Sequence, residues 1–147
     1  MPEVVSEDKG ITFSLHDIHD VAKELMKRGE GRRVWALFGP MGAGKTTLVK
    51  ALVALQGVRE TVASPTFSIV NQYESEQGQP IYHFDFYRIK NEMEAYDIGT
   101  DEYFDSGNWC LVEWPEKIPS LLPPNYFEIN IEIIDEQTRL IRYRKHG

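Results

Sequence analysis

Eight consecutive residues at positions 39–46, GPMGAGKT, have the types and the spacing that phosphate binding requires. They satisfy the pattern G-x-x-x-x-G-K-[ST] in full. Glycine lets backbone N–H groups turn inward to cradle phosphate oxygens, where a Cβ would obstruct the loop. Lys45 supplies a positive charge for the β and γ phosphates, and the hydroxyl of Thr46 can ligate Mg²⁺. The motif therefore predicts that the chain binds a nucleoside triphosphate together with Mg²⁺.

The residues on either side of this motif predict the two elements that must position it. Residues 34–38, VWALF, are wholly apolar and lie between glycines, which is typical of a strand buried on both faces. Residues 45–56 have helical spacing through Leu48 and Leu52 and stop at Gly57. The loop thus joins a buried strand to the positive end of a helix. The residues predicted to bind the nucleotide are Gly39, Met41, Gly42, Ala43, Gly44, Lys45, Thr46 and Thr47.

Two carboxylates compete for a place beside the phosphates, where an acid holds the Mg²⁺ shell or orients the attacking water. Glu113 ends the apolar run WCLVE and is predicted to ligate the metal with Thr46. Asp85 shares a strand face with His83 and is costly to bury unless it meets a cation, a metal or a donor. We predict that it orients water or joins the Mg²⁺ shell; an ion pair with Arg88 is the structural alternative. The residues predicted to act in catalysis are Asp85 and Lys45.

Two further positions near these acids have both a functional and a structural interpretation. Ser64 and Thr66 belong to the segment SPTF, where a threonine can sense the γ-phosphate. The alternative is a capped strand start after a proline turn. Trp114 follows Glu113 directly and is either part of the core or an anchor for a partner protein.

The remaining patterns predict one α/β domain over residues 1–147. A helix is expected to begin at Ser14, with Asp17 in a capping-box-like position. The β-rich runs 66–73 and 81–86 flank a polar turn and are expected to pair as a hairpin. Short helical turns broken at Gly99, a buried strand at 109–112 and a hairpin from residue 127 to residue 141 complete the set. Two main helices and at least six strands predict a P-loop NTPase-like three-layer sandwich, with a mixed central sheet flanked by helices.

Composition narrows the class of protein further. The chain has 147 residues, 41% of them hydrophobic, and a net charge of −7. No apolar run approaches the roughly 20 residues of a membrane span, and the lone Cys110 excludes an internal disulfide framework and a cysteine zinc cluster. We therefore expect a soluble, cytoplasmic protein with no membrane contact.

The charge is not evenly distributed. Residues 71–116 carry eleven acids and two bases, a net charge of −9. This balance argues against a protein that holds nucleic acid by its own electrostatics and suggests an acidic face around residues 91–105 for a protein partner. The one basic patch that suits RNA is expected on the C-terminal hairpin, at Arg139, Arg142, Arg144 and Lys145.

Taken together, these motifs resemble the TsaE family of small bacterial P-loop ATPases, which are needed for threonylcarbamoyladenosine modification of tRNA. The likeness covers roughly residues 34–118. SPTF, the H-x-D-x-Y-R pattern and the Glu-Trp pair at these intervals are specific to the family, whereas the phosphate motif alone is not. The matching segments are MGAGKTT (41–47), SPTF (64–67) with Tyr73, HFDFYR (83–88), Asp97-Ile98-Gly99 with Glu102-Tyr103-Phe104, and LVEWPEKI (111–118).

The resemblance implies ATP as the nucleotide, Mg²⁺ ligation by Thr46 and Glu113, an essential catalytic role for Asp85 and functional importance for Trp114. It also implies that the protein works with a TsaD-like transferase and its TsaB-like partner, and reaches tRNA only through that complex. Hydrolysis would reset the complex between turnovers. The chain departs from the family at Pro40, where an acid is usual, but proline suits a loop position whose N–H is not needed.

Other functions stay open on the residues alone. A small-molecule kinase of the P-loop class closes an arginine-bearing lid over its acceptor. Here only Arg59 and Arg88 lie between the helix after the loop and Glu113, and no lid-sized insertion is present. A GTPase would carry an N-K-x-D signature, which the chain lacks. A nucleotide-dependent binding module, with incidental hydrolysis, is the alternative outside the enzymes.

Overall fold

A computed structural model describes residues 10–63 and 68–147 of the chain. Seven strands and four α-helices form within these residues. The strands are β1 (Gly10–Ser14), β2 (Val34–Phe38), β3 (Val70–Glu74), β4 (Pro80–Asp85), β5 (Trp109–Glu113), β6 (Phe127–Ile133) and β7 (Thr138–Lys145). The helices are α1 (Ile18–Arg28), α2 (Lys45–Ala54), α3 (Glu92–Asp97) and α4 (Thr100–Asp105).

The strands form one mixed sheet in the order β1-β7-β6-β2-β5-β4-β3. The four central strands, β6, β2, β5 and β4, run parallel, and β7, β1 and β3 join by antiparallel pairing. The carboxyl ends of β2, β5 and β4 therefore meet at one edge of the sheet. This edge brings the phosphate motif, Glu113 and Asp85 together.

Helices cover both faces of the sheet because the central strands are apolar on both sides. In β2, Trp35 and Leu37 pack on the face that α1 and α2 cover, whereas Val34 belongs to the cluster that includes Ala95 of α3 and Phe104 of α4. This alternation gives the three layers that the sequence predicts. None of the helices in the described part of the chain is long and apolar enough to span a bilayer.

The prediction that Ser14 caps the first helical segment is confirmed, but the capping box with Asp17 does not form and the strand before Ser14 was not predicted. Ser14 is the last residue of β1, and its hydroxyl accepts a hydrogen bond from the N–H of His16 in a short 3₁₀ turn. The 3₁₀ turn, Leu15–Asp17, leads directly into α1 at Ile18. Strand β1 forms because it pairs antiparallel with β7, an interaction between the two ends of the chain that buries Phe13.

The other local predictions are confirmed within the described residues. The middle hairpin forms between β3 and β4, and the C-terminal hairpin forms between β6 and β7. The break at Gly99 separates α3 from α4, since Gly99 adopts φ +86°, a left-handed conformation that favours glycine. Residues 64–67, at the predicted start of the middle hairpin, lie outside the described residues.

Cys110 provides a probe of the stability of this fold. Its side chain is completely buried on β5, and burial raises the pKa of the thiol to about 12. We expect a disulfide reagent such as dithionitrobenzoate to label the native protein at least about a thousandfold more slowly than the unfolded chain, because opening of the core limits the reaction. Rapid stoichiometric labelling in native buffer would contradict this burial.

Candidate functional site

An open cleft of about 620 Å³ lies at the carboxyl edge of β2, β5 and β4, where ligands bind in open sheets of this type. The structure places most of the predicted site residues in its wall. Gly39 and Ala43 contribute to the loop through their backbone, and Ser64 and Thr66 lie outside the described residues. The predicted residues that line the cleft are Met41, Gly42, Gly44, Lys45, Thr46, Thr47, Asp85, Glu113 and Trp114.

The loop conformation depends on glycine at two positions. Gly42 and Gly44 have φ of +82° and +106°, where a Cβ would strain the backbone. Gly44 precedes α2, and its carbonyl accepts the hydrogen bond from the N–H of Leu48. The first N–H groups of a helix have no carbonyl partner within that helix. The N-terminus of α2 therefore presents a positive end to an anion in the cleft.

Lys45 is almost fully buried at the base of the cleft. Its Nζ donates to the carbonyl oxygen of Gly39 at 2.6 Å and lies 3.4 Å from the ring centroid of Trp114. Burial lowers the pKa of the ammonium, while the negative charges of Glu113, Glu116 and Asp85 oppose that shift. The ammonium is thus held on neutral partners, and acids surround it at longer range.

Thr46 and Glu113 meet where the phosphate loop faces the end of β5. The Thr46 hydroxyl lies 3.0 and 2.9 Å from the two carboxylate oxygens of Glu113, which is 3% exposed. His83 lies behind this pair, with Nε2 2.6 Å from Oε2 of Glu113. In residues 10–63 and 68–147, no group of three or more His, Cys, Asp or Glu side chains could hold a metal ion. The hydroxyl and carboxylate instead fit Mg²⁺ that keeps several waters and is also bound by phosphates.

Asp85 ends β4 directly opposite Glu113 of β5 in the strand register. Its carboxylate is half-buried and accepts a hydrogen bond from the N–H of Tyr87 at 3.0 Å. Burial raises the pKa of Asp85, the Tyr87 hydrogen bond opposes that effect, and the charge of Glu113 adds to the rise. The acid therefore accepts a proton more readily than a free aspartate does.

Trp114 has a backbone conformation that is rare for a bulky residue. Its φ of +59° and ψ of +48° lie in the left-handed region, at a cost on the order of 1–3 kcal/mol. The half-buried ring lies against the ring of Tyr87, at 4.9 Å between centroids, as well as under Lys45. The structure thus gives Trp114 a position in the wall of the cleft.

The prediction that Arg139 belongs to an exposed basic patch is wrong. It is not on an RNA-facing surface: it is only 8% exposed, and its Nε donates to the carbonyl of Ala43 in the phosphate loop at 2.9 Å. Its Nη1 donates to the carbonyl oxygen of Asp135. The available signal was its period-two spacing with Ile141 and Tyr143, which are also buried on β7. Arg139 therefore holds the loop from the core side.

A glycine-rich phosphate loop between a central strand and a helix, with an acid at the end of the neighbouring parallel strand, defines a P-loop nucleotide-binding protein. A family model described as "Threonylcarbamoyl adenosine biosynthesis protein TsaE" matches residues 12–141. The chain belongs to this TsaE family, as the resemblance in its motifs implies.

Individual relatives agree with this assignment. A protein of Aquifex aeolicus, named "tRNA threonylcarbamoyladenosine biosynthesis protein TsaE", is 38% identical over 92% of this chain and 95% of its own length. A Bacillus subtilis protein of the same name is 40% identical over 78% of this chain and 70% of its own length. The crystal structure of YdiB from Bacillus subtilis superposes with a TM-score of 0.74 and 29% identity, over 95% of this chain and 88% of that one.

The contact between Arg139 and the loop predicts a loss of nucleotide affinity in Arg139→Met. This change removes the donor to Ala43 and leaves a buried carbonyl without its partner, so the affinity for ATP is expected to fall about tenfold. Isothermal titration calorimetry measures the affinity. The matched control is Arg142→Met, which loses the same charge from an exposed pair with Glu132. Equal ATP affinities for the two variants would show that the hydrogen bond from Arg139 to Ala43 does not shape the loop.

Proposed function

We propose that this protein is a Mg²⁺-dependent ATPase that acts in threonylcarbamoyladenosine modification of tRNA, and that residues 1–147 form a single P-loop ATPase domain. The observation that carries the proposal is the pairing of Thr46 with Glu113 at the mouth of the phosphate loop. A hydroxyl and an acid in this position have the chemistry of a Mg²⁺–nucleotide site. The printed names of the TsaE relatives support the tRNA-directed role.

The phosphates of ATP are proposed to lie on the loop from Gly39 to Thr47. Within the residues that the structure describes, no carboxylate lies at hydrogen-bond distance from Nζ of Lys45. The anionic phosphates would provide the strong partner that a buried ammonium requires. On binding, Nζ exchanges the Gly39 carbonyl for a phosphate oxygen, while the Trp114 ring supports its other side. Lys45 then stabilises the charge that develops during phosphoryl transfer.

Thr46 and Glu113 are the residues that would hold Mg²⁺. An ion bound there would supply charge that neutralises the phosphates of the nucleotide. The two side chains reach the same point from different elements, α2 and β5, so their contact requires the loop to dock correctly on the sheet. Thr66 is proposed to sense the γ-phosphate, and Ser64 to contribute to the same segment, as their place in the sequence between the loop and Asp85 suggests.

Asp85 is proposed to orient the attacking water and to accept its proton. Its position opposite Glu113 puts a second acid at the same edge of the sheet. The raised pKa of Asp85 suits proton acceptance, because a more basic carboxylate is a better acceptor at neutral pH.

The proposed partners are a TsaD-like transferase and a TsaB-like protein, and hydrolysis is proposed to reset their complex between turnovers. Three apolar side chains are exposed: Met41 on the phosphate loop, Tyr87 after β4 and Met93 on α3. Met93 lies within an acidic segment. Exposed apolar side chains and acidic residues suit a protein partner better than the phosphates of tRNA. The inward position of Arg139 further reduces the basic patch on the C-terminal hairpin. We expect tRNA to be reached through the complex, in the cytoplasm.

The proposed function is tested by phosphate release from ATP with and without the purified transferase pair. Turnover is expected to be weak alone, to rise when the pair is added and to require Mg²⁺. Lys45→Ala should lower the stimulated rate about a hundredfold or more, because it removes the charge that stabilises the transferred phosphoryl group. Lys50→Ala, an exposed change on the same helix, is the matched control. Phosphate transfer to a small acceptor without the pair would instead identify a kinase.

Asp85→Asn separates chemistry from binding. The variant should bind ATP nearly as well as the unmodified protein, yet lose about a hundredfold or more in kcat, since it cannot accept a proton. The pH–rate profile gives the second readout: kcat of the unmodified protein should fall as the pH drops through the raised pKa of Asp85. That acid limb should disappear in Asp85→Asn and persist in the exposed control Asp20→Asn. Parallel losses of affinity and kcat would give Asp85 a structural role.

A further inference from the structure

Three polar side chains form a diagonal row across β3, β4 and β5 on the sheet face that α2 covers: Tyr73, His83 and Glu113. Strand register produces the row. Tyr73 is opposite Ile81, and His83 is two residues further along β4. His83 is in turn opposite Leu111, and Glu113 is two residues further along β5. The side chains share one face because residues two apart in a strand point the same way.

The row is a continuous chain of hydrogen bonds. The Tyr73 hydroxyl donates to the carbonyl oxygen of Ala63 at 3.1 Å, and its oxygen lies 3.2 Å from Nδ1 of His83. Nε2 of His83 lies 2.6 Å from Oε2 of Glu113. All three side chains are at most 4% exposed. The hydrogen bonds therefore connect the backbone carbonyl of Ala63 to the carboxylate of Glu113 through the protein interior.

Contacts at both ring nitrogens fix the orientation of His83. A buried polar ring with partners on two sides cannot rotate without losing a hydrogen bond, which is costly in the interior. His83 contacts only Oε2 of Glu113, whereas Thr46 lies within 3.0 Å of both oxygens. If the Thr46 hydroxyl turns its oxygen to a cation, His83 still holds Oε2, and Oε1 stays available.

We propose that His83 is a positioning residue, which holds Oε2 of Glu113 so that Oε1 can ligate the nucleotide-bound metal, and that Tyr73 locks the ring of His83 through Nδ1. The inference rests on the proposed function, because it treats Glu113 as a metal ligand. Groups behind a metal ligand commonly set its orientation, and their loss typically costs about 10- to 100-fold in metal affinity. His83 thus acts on the metal through Glu113.

Two substitutions of His83 separate the two halves of the row. The amide nitrogen of glutamine reaches the position of Nε2, so His83→Gln retains a donor to Glu113 and loses the contact with Tyr73. The amide nitrogen of asparagine matches Nδ1, so His83→Asn retains the contact with Tyr73 and loses the one with Glu113. Tyr73→Phe removes only a hydroxyl, and Tyr82→Phe on the neighbouring half-buried position is its matched control.

The readout is the affinity of each protein–ADP complex for Mn²⁺, measured from the electron paramagnetic resonance signal of the free ion. Metal-free ADP affinity is measured in EDTA by calorimetry. We expect about a tenfold or greater loss of Mn²⁺ affinity in His83→Asn, with His83→Gln closer to the unmodified protein. Tyr73→Phe should lose about threefold in Mn²⁺ affinity, as expected for one neutral hydrogen bond, and Tyr82→Phe should be unchanged. Metal-free ADP affinity should be similar in all of them.

Several results would overturn the proposal. One is an unchanged Mn²⁺ affinity in folded His83→Asn. Another is an equal loss of Mn²⁺ affinity in both His83 variants that parallels a fall in melting temperature, because that result would mean that His83 has a packing role alone. If His83→Asn does not fold, the proposal is tested by comparing Tyr73→Phe with Tyr82→Phe. Equal Mn²⁺ affinities in these two variants would overturn it. Failure of the unmodified protein to bind ADP and Mn²⁺ together would overturn the proposed function itself, and this inference with it.

Discussion

The buried carboxylate of Glu113 is the constraint on which the rest of the site depends. A carboxylate at 3% exposure is costly unless donors surround it. The Thr46 hydroxyl and the ring of His83 contact it from two elements, α2 and β4, while β5 carries the acid itself. The contact with Thr46 also requires the phosphate loop to be docked on the sheet. One buried charge therefore couples three elements that are far apart in the chain.

The parallel arrangement of the central strands allows this coupling. Strands β2, β5 and β4 end at the same edge of the sheet, so the phosphate loop, Glu113 and Asp85 lie close together. Thr46 and Glu113 are in contact there although they are 67 positions apart in the chain. The antiparallel strands at the β7 side add Arg139, which reaches the loop carbonyls from behind. The sheet thus provides both the acids that line the cleft, Glu113 and Asp85, and the arginine that holds the phosphate loop in place.

Local patterns predicted the parts of the site that local chemistry determines. The phosphate motif, its strand and its helix could be read directly, since a glycine loop needs particular residues at particular spacings. Glu113 was predicted from an apolar run that ends in an acid, and Asp85 from the cost of burying an acid in an aromatic-rich strand. Strand β1, which ends at Ser14, was not predicted because it forms by pairing with β7 at the far end of the chain, an interaction that no local pattern shows. Arg139 was misassigned for the same reason, since its partner lies 96 residues away.

The sequence by itself therefore determined the class of site, the identity of its acids and the layered α/β fold, because these depend on residue types and short-range periodicity. Only the tertiary structure decided what supports them: His83 and Tyr73 behind Glu113, Arg139 behind the loop, and Trp114 under Lys45. These contacts arise from strand order and register. Both are set by packing between distant segments, which no local pattern encodes.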